Sequence, residues 1–236
     1  MVNTQHSRSR VSPDAIPPLQ NGDRLTRLEF ERRYQAMPHV KKAELIEGIV
    51  YIASPLRFEP HAEPHGDLMI WLGNYKVATP GVRMGDNATV RLDVGNEPQP
   101  DALLMIDEGC GGRARINADG YVEGAPELVV EVAASSAAID LGDKKRAYRR
   151  SGVAEYLVWQ VFDQKLDWYR LTEDDYVLLE GDDQGIVRSV VFPGLWLNRA
   201  AMLAGDMPAV LAVLQRGLAS EAHQAFLGQL TAQEKT

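Results

Sequence analysis

The segment PELVVEVAA, residues 126–134, limits the fold more than any other part of the chain. It is apolar on both faces of an extended backbone, as a strand covered by helices on both sides must be. Glu131 interrupts it from within. A lone carboxylate buried in mid-sheet costs several kcal/mol unless it is paired or holds a metal. Strand alternation sets Glu127, Val129, Glu131 and Ala133 on one face and Leu128, Val130 and Val132 on the other. In the preceding run, DALLMID, Asp101 follows Pro100 at the strand start. If the two strands pair with Asp101 and Glu131 on one face, two carboxylates converge. Hard divalent cations take oxygen ligands, and Mg²⁺ typically takes one or two carboxylates, a carbonyl and several waters. The competing reading has Asp101 capping the turn after Pro100 and Glu131 paired with an arginine.

The rest of the chain supplies layers for such a strand. Residues 1–23 are polar and aperiodic, with Pro13, Pro17 and Pro18, and read as a flexible N-terminal arm. TRLEFERRYQAM predicts a short helix with Thr26 as N-cap. AELIEGIVYIAS predicts two short strands about Gly48, and HGDLMIWLGNYKVA a helix with Leu68, Leu72 and Tyr75 on one side. ATVRLDV, DALLMID and PELVVEVAA read as strands. The intervening EGCGGRARINADGY reads as a loop, with Gly109–Gly112 a flexible hairpin tip. LGDKKRAYRRSG is a helix stopped by Gly152, and EYLVWQV, KLDWYRL, YVLLEG and IVRSVVF form a strand meander. Residues 198–236 form a C-terminal helical extension broken at Gly205 and Pro208. Residues 24–197 therefore form one α/β domain, a mixed central sheet flanked by helices. The apolar stripe Val210, Leu211, Leu214 and Leu218 either covers this sheet or forms a homo-oligomer contact.

Composition excludes some classes. No stretch reaches the roughly 20 apolar residues of a membrane helix, and the first residues lack the apolar core of a secretion signal. A single cysteine, Cys110, allows no internal disulfide and no cysteine-rich zinc site, so a reducing, cytoplasmic setting is expected. The net charge of −8 opposes tight non-specific binding to a polyanion. Basic residues do cluster locally, at Lys144, Lys145, Arg146, Arg149 and Arg150.

LTRLEFERRY, AELIEGIVYIASP, HGDLMIWL, QPDALLMI, PELVVEVAASS and IDLGDKKRAYRRSGVAEYLVWQV occur in that order between about Leu25 and Trp196. Together they resemble the Uma-two family of endonucleases within the PD-(D/E)XK nuclease superfamily. The resemblance implies a restriction-endonuclease-like core and binding of Mg²⁺ or Mn²⁺ by Asp101, Glu131 and the backbone carbonyl of Val132. It also implies hydrolysis of DNA phosphodiester bonds. The superfamily pattern has lysine two residues after the glutamate, where this chain has Ala133; the family's matching lysine is Lys144 in the next helix. A serine usual after the Glu-Val pair is replaced at Ala134. Glu44 matches an acidic residue of the first strand, and His65 a histidine that opens the following helix. Without the resemblance, Glu44 pairs with Lys41 or Lys42 and His65 caps a helix.

Helical spacing places Lys144 with Leu141, Ala147 and Tyr148 on an inward face, and Lys145 with Gly142 and Arg149 outward. An inward ammonium needs an anion, and Glu131 is the expected partner. Repulsion between Asp101 and Glu131 predicts that neutralising Asp101 preserves or raises apo stability. His61 and His65 have the spacing of two zinc ligands, but Pro64 lies between them and no acidic base follows His61, which argues against zinc. Trp159, Trp168 and Tyr169 read as sheet residues. Two further functions stay open: a non-catalytic relative that binds nucleic acid or acts as a scaffold, and a metal-dependent hydrolase of a small phosphorylated substrate.

Overall fold

The computed structural model describes residues 15–53, 57–173 and 175–233. Helix α1 (Arg27–Gln35) leads to the hairpin β1 (Ala43–Ile46) and β2 (Ile49–Ile52), and α2 spans Glu63–Ala78. Strands β3 (Val82–Asp86), β4 (Val90–Arg91), β5 (Ala102–Ile106), β6 (Arg115–Ile116), β7 (Val122–Glu123) and β8 (Leu128–Ala133) follow. The short α3 (Ala137–Ile139) and α4 (Lys145–Ser151) precede β9 (Glu155–Gln160), β10 (Lys165–Leu171), β11 (Tyr176–Leu178), β12 (Ile186–Arg188) and β13 (Trp196–Asn198). Helices α5 (Arg199–Leu203), α6 (Met207–Leu218) and α7 (Glu221–Gln233) close the chain. Single π-helical turns, Phe58–Ala62 and Asp140–Lys144, adjoin α2 and α4.

The central sheet has the order β11-β10-β9-β8-β5-β3. β8 and β9 pair in parallel and the other neighbours antiparallel, so the sheet is mixed. The alternation read from PELVVEVAA holds. Leu128, Val130 and Val132 enter the main core with Leu68, Trp71 and Leu72 of α2. Val129 points the other way, to a smaller core with Tyr148 of α4 and Tyr156. The aromatic readings hold too, since Trp168 is fully buried and packs edge-on against Trp71.

The C-terminal helices cover the sheet of their own chain. Val210, Leu214, Leu218, Phe226 and Leu230 belong to the same core as Leu128, Val130 and Val132 of β8, and Leu211 of the expected stripe packs half-buried against it. The first fourteen residues of the expected arm lie outside the described residues, as do 234–236 of the tail. Leu19, still within that expected arm, is not free: it is buried beside Phe30, Leu45 and Val50, and Gly22 N–H donates to the Val50 carbonyl. Burying Leu19 removes apolar area from water, which offsets the entropy of docking this stretch.

Two local readings change. The glycine run at 109–112 is a packed turn and not a loose tip: Cys110 is buried, and a Cβ at Gly112 would sit 1.9 Å from the Ile106 carbonyl oxygen. The loop that contains it leads through β6 and β7, and β7 lies between β6 and β4 in a small three-stranded sheet. The hairpin turn is as expected, with Glu47 and Gly48 both in the left-handed region.

Candidate active site

The site forms where β1, β5 and β8 meet the turn before α4. Ala102 pairs with Val130, so Asp101 falls opposite Glu131, one step further along. Both therefore leave the face that carries Ala102 and Val130, which belongs to the main core. On β1 the same alternation sends Ala43 and Leu45 into the core around Phe30. Lys42 and Glu44 fall on the opposite side and line the site cavity. That cavity, about 620 Å³, is lined by Asp101, Glu131, Glu44, Lys144, Lys42 and His61 among others.

Lys144 holds the centre. Its Nζ lies 2.9 Å from Glu44 Oε1, 3.0 Å from Glu131 Oε1 and 3.5 Å from Asp140 Oδ1. Tyr148 donates its hydroxyl to the same Glu131 oxygen at 2.8 Å. Burial alone would disfavour the ammonium, but Glu131, Glu44 and Asp140 outweigh it and hold Lys144 well above its ordinary range. The partner of Glu131 is a lysine, not an arginine. Lys145 turns away and stacks on the Tyr169 ring, 3.4 Å from its centroid. The wider π-helical turn at Asp140–Lys144 puts Asp140 and Lys144 within ion-pair distance, and such turns occur often at functional sites.

Asp101 has three partners of its own. Lys42 Nζ donates to Oδ1 at 3.1 Å, Val132 N–H donates to Oδ2 at 2.8 Å, and His61 Nε2 lies 3.3 Å from Oδ2. Burial pushes its carboxyl up, but the His61 contact, the Lys42 charge and the Val132 N–H together hold it well below the usual carboxylate range. Asp101 is thus a stabilised carboxylate, which corrects the expectation that neutralising it relieves strain. Glu131 differs: burial pushes it up, Lys144 offsets this in part, and Asp140, Asp101 and Glu44 raise it further.

The residues read from the sequence are not equally placed. Asp101, Glu131, Glu44, Lys144 and Val132 all line the cavity. The Val132 carbonyl accepts from Ala134 N–H at 3.2 Å. Glu44 does not pair with a neighbouring lysine; it accepts from Lys144 and from Gln99 N–H at 2.7 Å. His65 supports the site from behind, with Nε2 3.0 Å from the Asp101 carbonyl oxygen and 3.2 Å from Asp86 Oδ1. Lys42, His61 and Asp140 were not singled out for this chemistry. His61 was weighed only as a zinc ligand, yet it sits on the π-helical turn Phe58–Ala62 against Asp101. Alternation along β1 from Glu44 would have pointed to Lys42.

The donor set suits a hard divalent cation. Four carboxyl groups (Asp101, Glu131, Glu44 and Asp140) face two ammonium groups (Lys42 and Lys144), which leaves two negative charges when all are ionised. Among the described residues, no three His, Cys, Asp or Glu side chains form a ready-made metal cage. A cation held here would take one or two of these carboxylates and complete its shell with water, a mode open to Mg²⁺.

A mixed sheet with an acidic pair at its centre and a lysine delivered by the next helix defines a restriction-endonuclease-like α/β protein. The sequence profile of the Uma2 family, described as "Putative restriction endonuclease", matches residues 28–200, and the chain belongs to that family. Its fold is similar to that in the "Crystal structure of a putative nuclease belonging to DUF820 from Anabaena variabilis ATCC 29413". That likeness has a TM-score of 0.54 at 12% identity and covers 78% of this chain and 97% of the other. Among curated proteins, none matches the chain significantly. No helix among the described residues is long and apolar enough to cross a membrane.

Proposed function

We propose that the chain is a divalent-cation-dependent endonuclease that hydrolyses DNA phosphodiester bonds. The observation that carries this reading is the placement of Asp101 opposite Glu131, with the Lys144 ammonium 3.0 Å from Glu131 in an open cavity. Asp101, Glu131 and the Val132 carbonyl would hold the cation, Mg²⁺ or Mn²⁺. When bound, it supplies Lewis-acid polarisation and neutralises phosphoryl charge.

The side chains supply the remainder. Lys144, kept charged by three carboxyl groups, acts as a donor: it orients the attacking water and offsets charge as it builds on the phosphoryl oxygens. Tyr148, which donates to Glu131, and Asp140, which pairs with Lys144, fix the two in place. Lys42 and His61 hold the Asp101 carboxylate in its ionised form. Glu44 supports Lys144 and reaches the cavity as an outer carboxylate. A reducing cytoplasm is the setting that suits the lone, buried Cys110.

Nicking of supercoiled plasmid by the purified full chain with Mg²⁺ or Mn²⁺, abolished in Asp101→Asn, tests the reading. Hydrolysis of bis-p-nitrophenyl phosphate with no nicking of any DNA would move the substrate to small phosphate esters. One observation favours a second reading, a non-catalytic nucleic-acid binder or scaffold: Lys42 and Lys144 already pair with Asp101 and Glu131. Calorimetry separates the two, because a protein without this chemistry gives no heat with Mn²⁺.

A further inference from the structure

Five phenylalanines occur in the chain. Phe30, Phe192 and Phe226 are buried, while Phe58 is 72% and Phe162 68% exposed. Burying a phenylalanine stabilises a fold, so leaving two in water forgoes that gain twice. Single exposed apolar residues are ordinary; these two line one shallow, open cavity, with Arg57, Glu59, Pro60 and Val161. Arg57, Pro60 and Phe162 also line the cavity that contains Asp101 and Glu131, so the aromatic mouth is continuous with the acidic floor.

The backbone explains the placement. β8 and β9 run parallel, and Val161 N–H donates to the Ala133 carbonyl. The turn after β9 therefore sits at the end of the strand that carries Glu131, and it holds Phe162. Phe58 opens the π-helical turn whose His61 reaches Asp101.

We propose that Phe58 and Phe162 form a stacking clamp for an unpaired nucleobase of the substrate strand, with Arg57 at the rim for its backbone. This rests on the nuclease reading and names the substrate class: single-stranded DNA, or a duplex opened at the cut site. In an intact duplex the base faces are already stacked, and only an unstacked base presents a face to a ring. Charge points the same way. A chain of net charge −8 gains little from phosphate neutralisation, so its affinity for DNA would rest on contacts that are not ionic, of which base–aromatic stacking is one.

Fluorescence anisotropy with a short fluorescein-labelled oligothymidylate, and with a duplex of equal length, tests the clamp. The full chain is used in buffer with EDTA, so that nothing is cleaved. The single strand should bind more tightly than the duplex, with a shallow dependence on salt. Phe58→Ala and Phe162→Ala should each weaken its binding by about 5- to 100-fold, while Phe58→Trp and Phe162→Trp retain it. Binding unchanged in both alanine variants overturns the clamp, as does the absence of oligothymidylate binding by the wild-type chain. A wild-type dimer that dissociates in Phe58→Ala/Phe162→Ala with oligothymidylate binding unaltered assigns the face to a second copy and overturns it as well. Plasmid nicking keeps the two readings apart. Nicking that persists without any effect of the phenylalanines removes the clamp alone, whereas phenylalanine-dependent binding without nicking upholds the clamp and removes hydrolysis.

Discussion

Lys144 Nζ lies 3.0 Å from Glu131 Oε1 across a separation of 13 residues. The helix after β8 thus delivers the cation that Ala133, two residues past the glutamate, does not provide. Lys144→Ala should lower metal-dependent cleavage by about 10²–10³-fold, the usual cost of losing one donor to transition-state charge, and metal binding should remain. Lys145→Ala should leave the rate within a few-fold, since Lys145 stacks on Tyr169. Single-turnover rates with Mn²⁺ check both; equal losses in the two variants would return the choice of lysine to question.

Asp101→Asn should destabilise the apo protein as well as inactivate it. The carboxylate accepts from Lys42 and Val132 N–H, and charge-assisted hydrogen bonds are worth about 1.5–3 kcal/mol each. Its folded pKa lies below the ordinary 3.8. The folded state thus binds this proton less readily than the unfolded state, so the contribution is present above about pH 4 and lost as pH falls further. The melting-temperature gap between wild type and variant should be full at pH 7 and shrink below pH 4. A variant as stable as wild type at pH 7 would contradict the three-partner geometry.

Glu97 has the opposite sign. It is buried beside Glu31, and burial followed by Glu31 pushes its carboxyl up to about 8, with Arg91 offsetting only part. A raised folded pKa gives stability that is complete below the ordinary 4.5 and is lost as pH rises through 8. Glu97→Gln carries no such loss. Its melting temperature relative to wild type should therefore rise between pH 5 and pH 9, by about 2–4 °C for each kcal/mol relieved. Calorimetric scans at the two pH values decide it, and parallel curves would show that Arg91 compensates Glu97 fully.

The tail is core. Leu214 is fully buried within the main cluster, and Leu214→Ala should cost about 2–5 kcal/mol in urea unfolding. Truncation after Leu203 removes Val210, Leu214, Leu218, Phe226 and Leu230 from that cluster and should leave an insoluble chain. A soluble truncated monomer of unchanged stability would make the extension a free appendage.

Strand β8 was legible because both of its signals are local. Alternation is a property of the extended backbone, and a carboxylate inside an apolar run is conspicuous wherever it falls. Helical spacing likewise assigned Lys144 inward and Lys145 outward with no knowledge of what lay opposite. Strand β3 escaped notice because Arg83, Gly85 and Asp86 break any apolar pattern; its place is given by pairing with β5. Nothing local in the sequence ties Lys42 or His61 to Asp101. They join the site because the hairpin and the π-helical turn pack beside Asp101, 59 and 40 residues away along the chain. Whether Asp101 is strained or held depends on those distant partners, and local spacing, which fixes only the face a side chain takes, has no access to its partners across the fold.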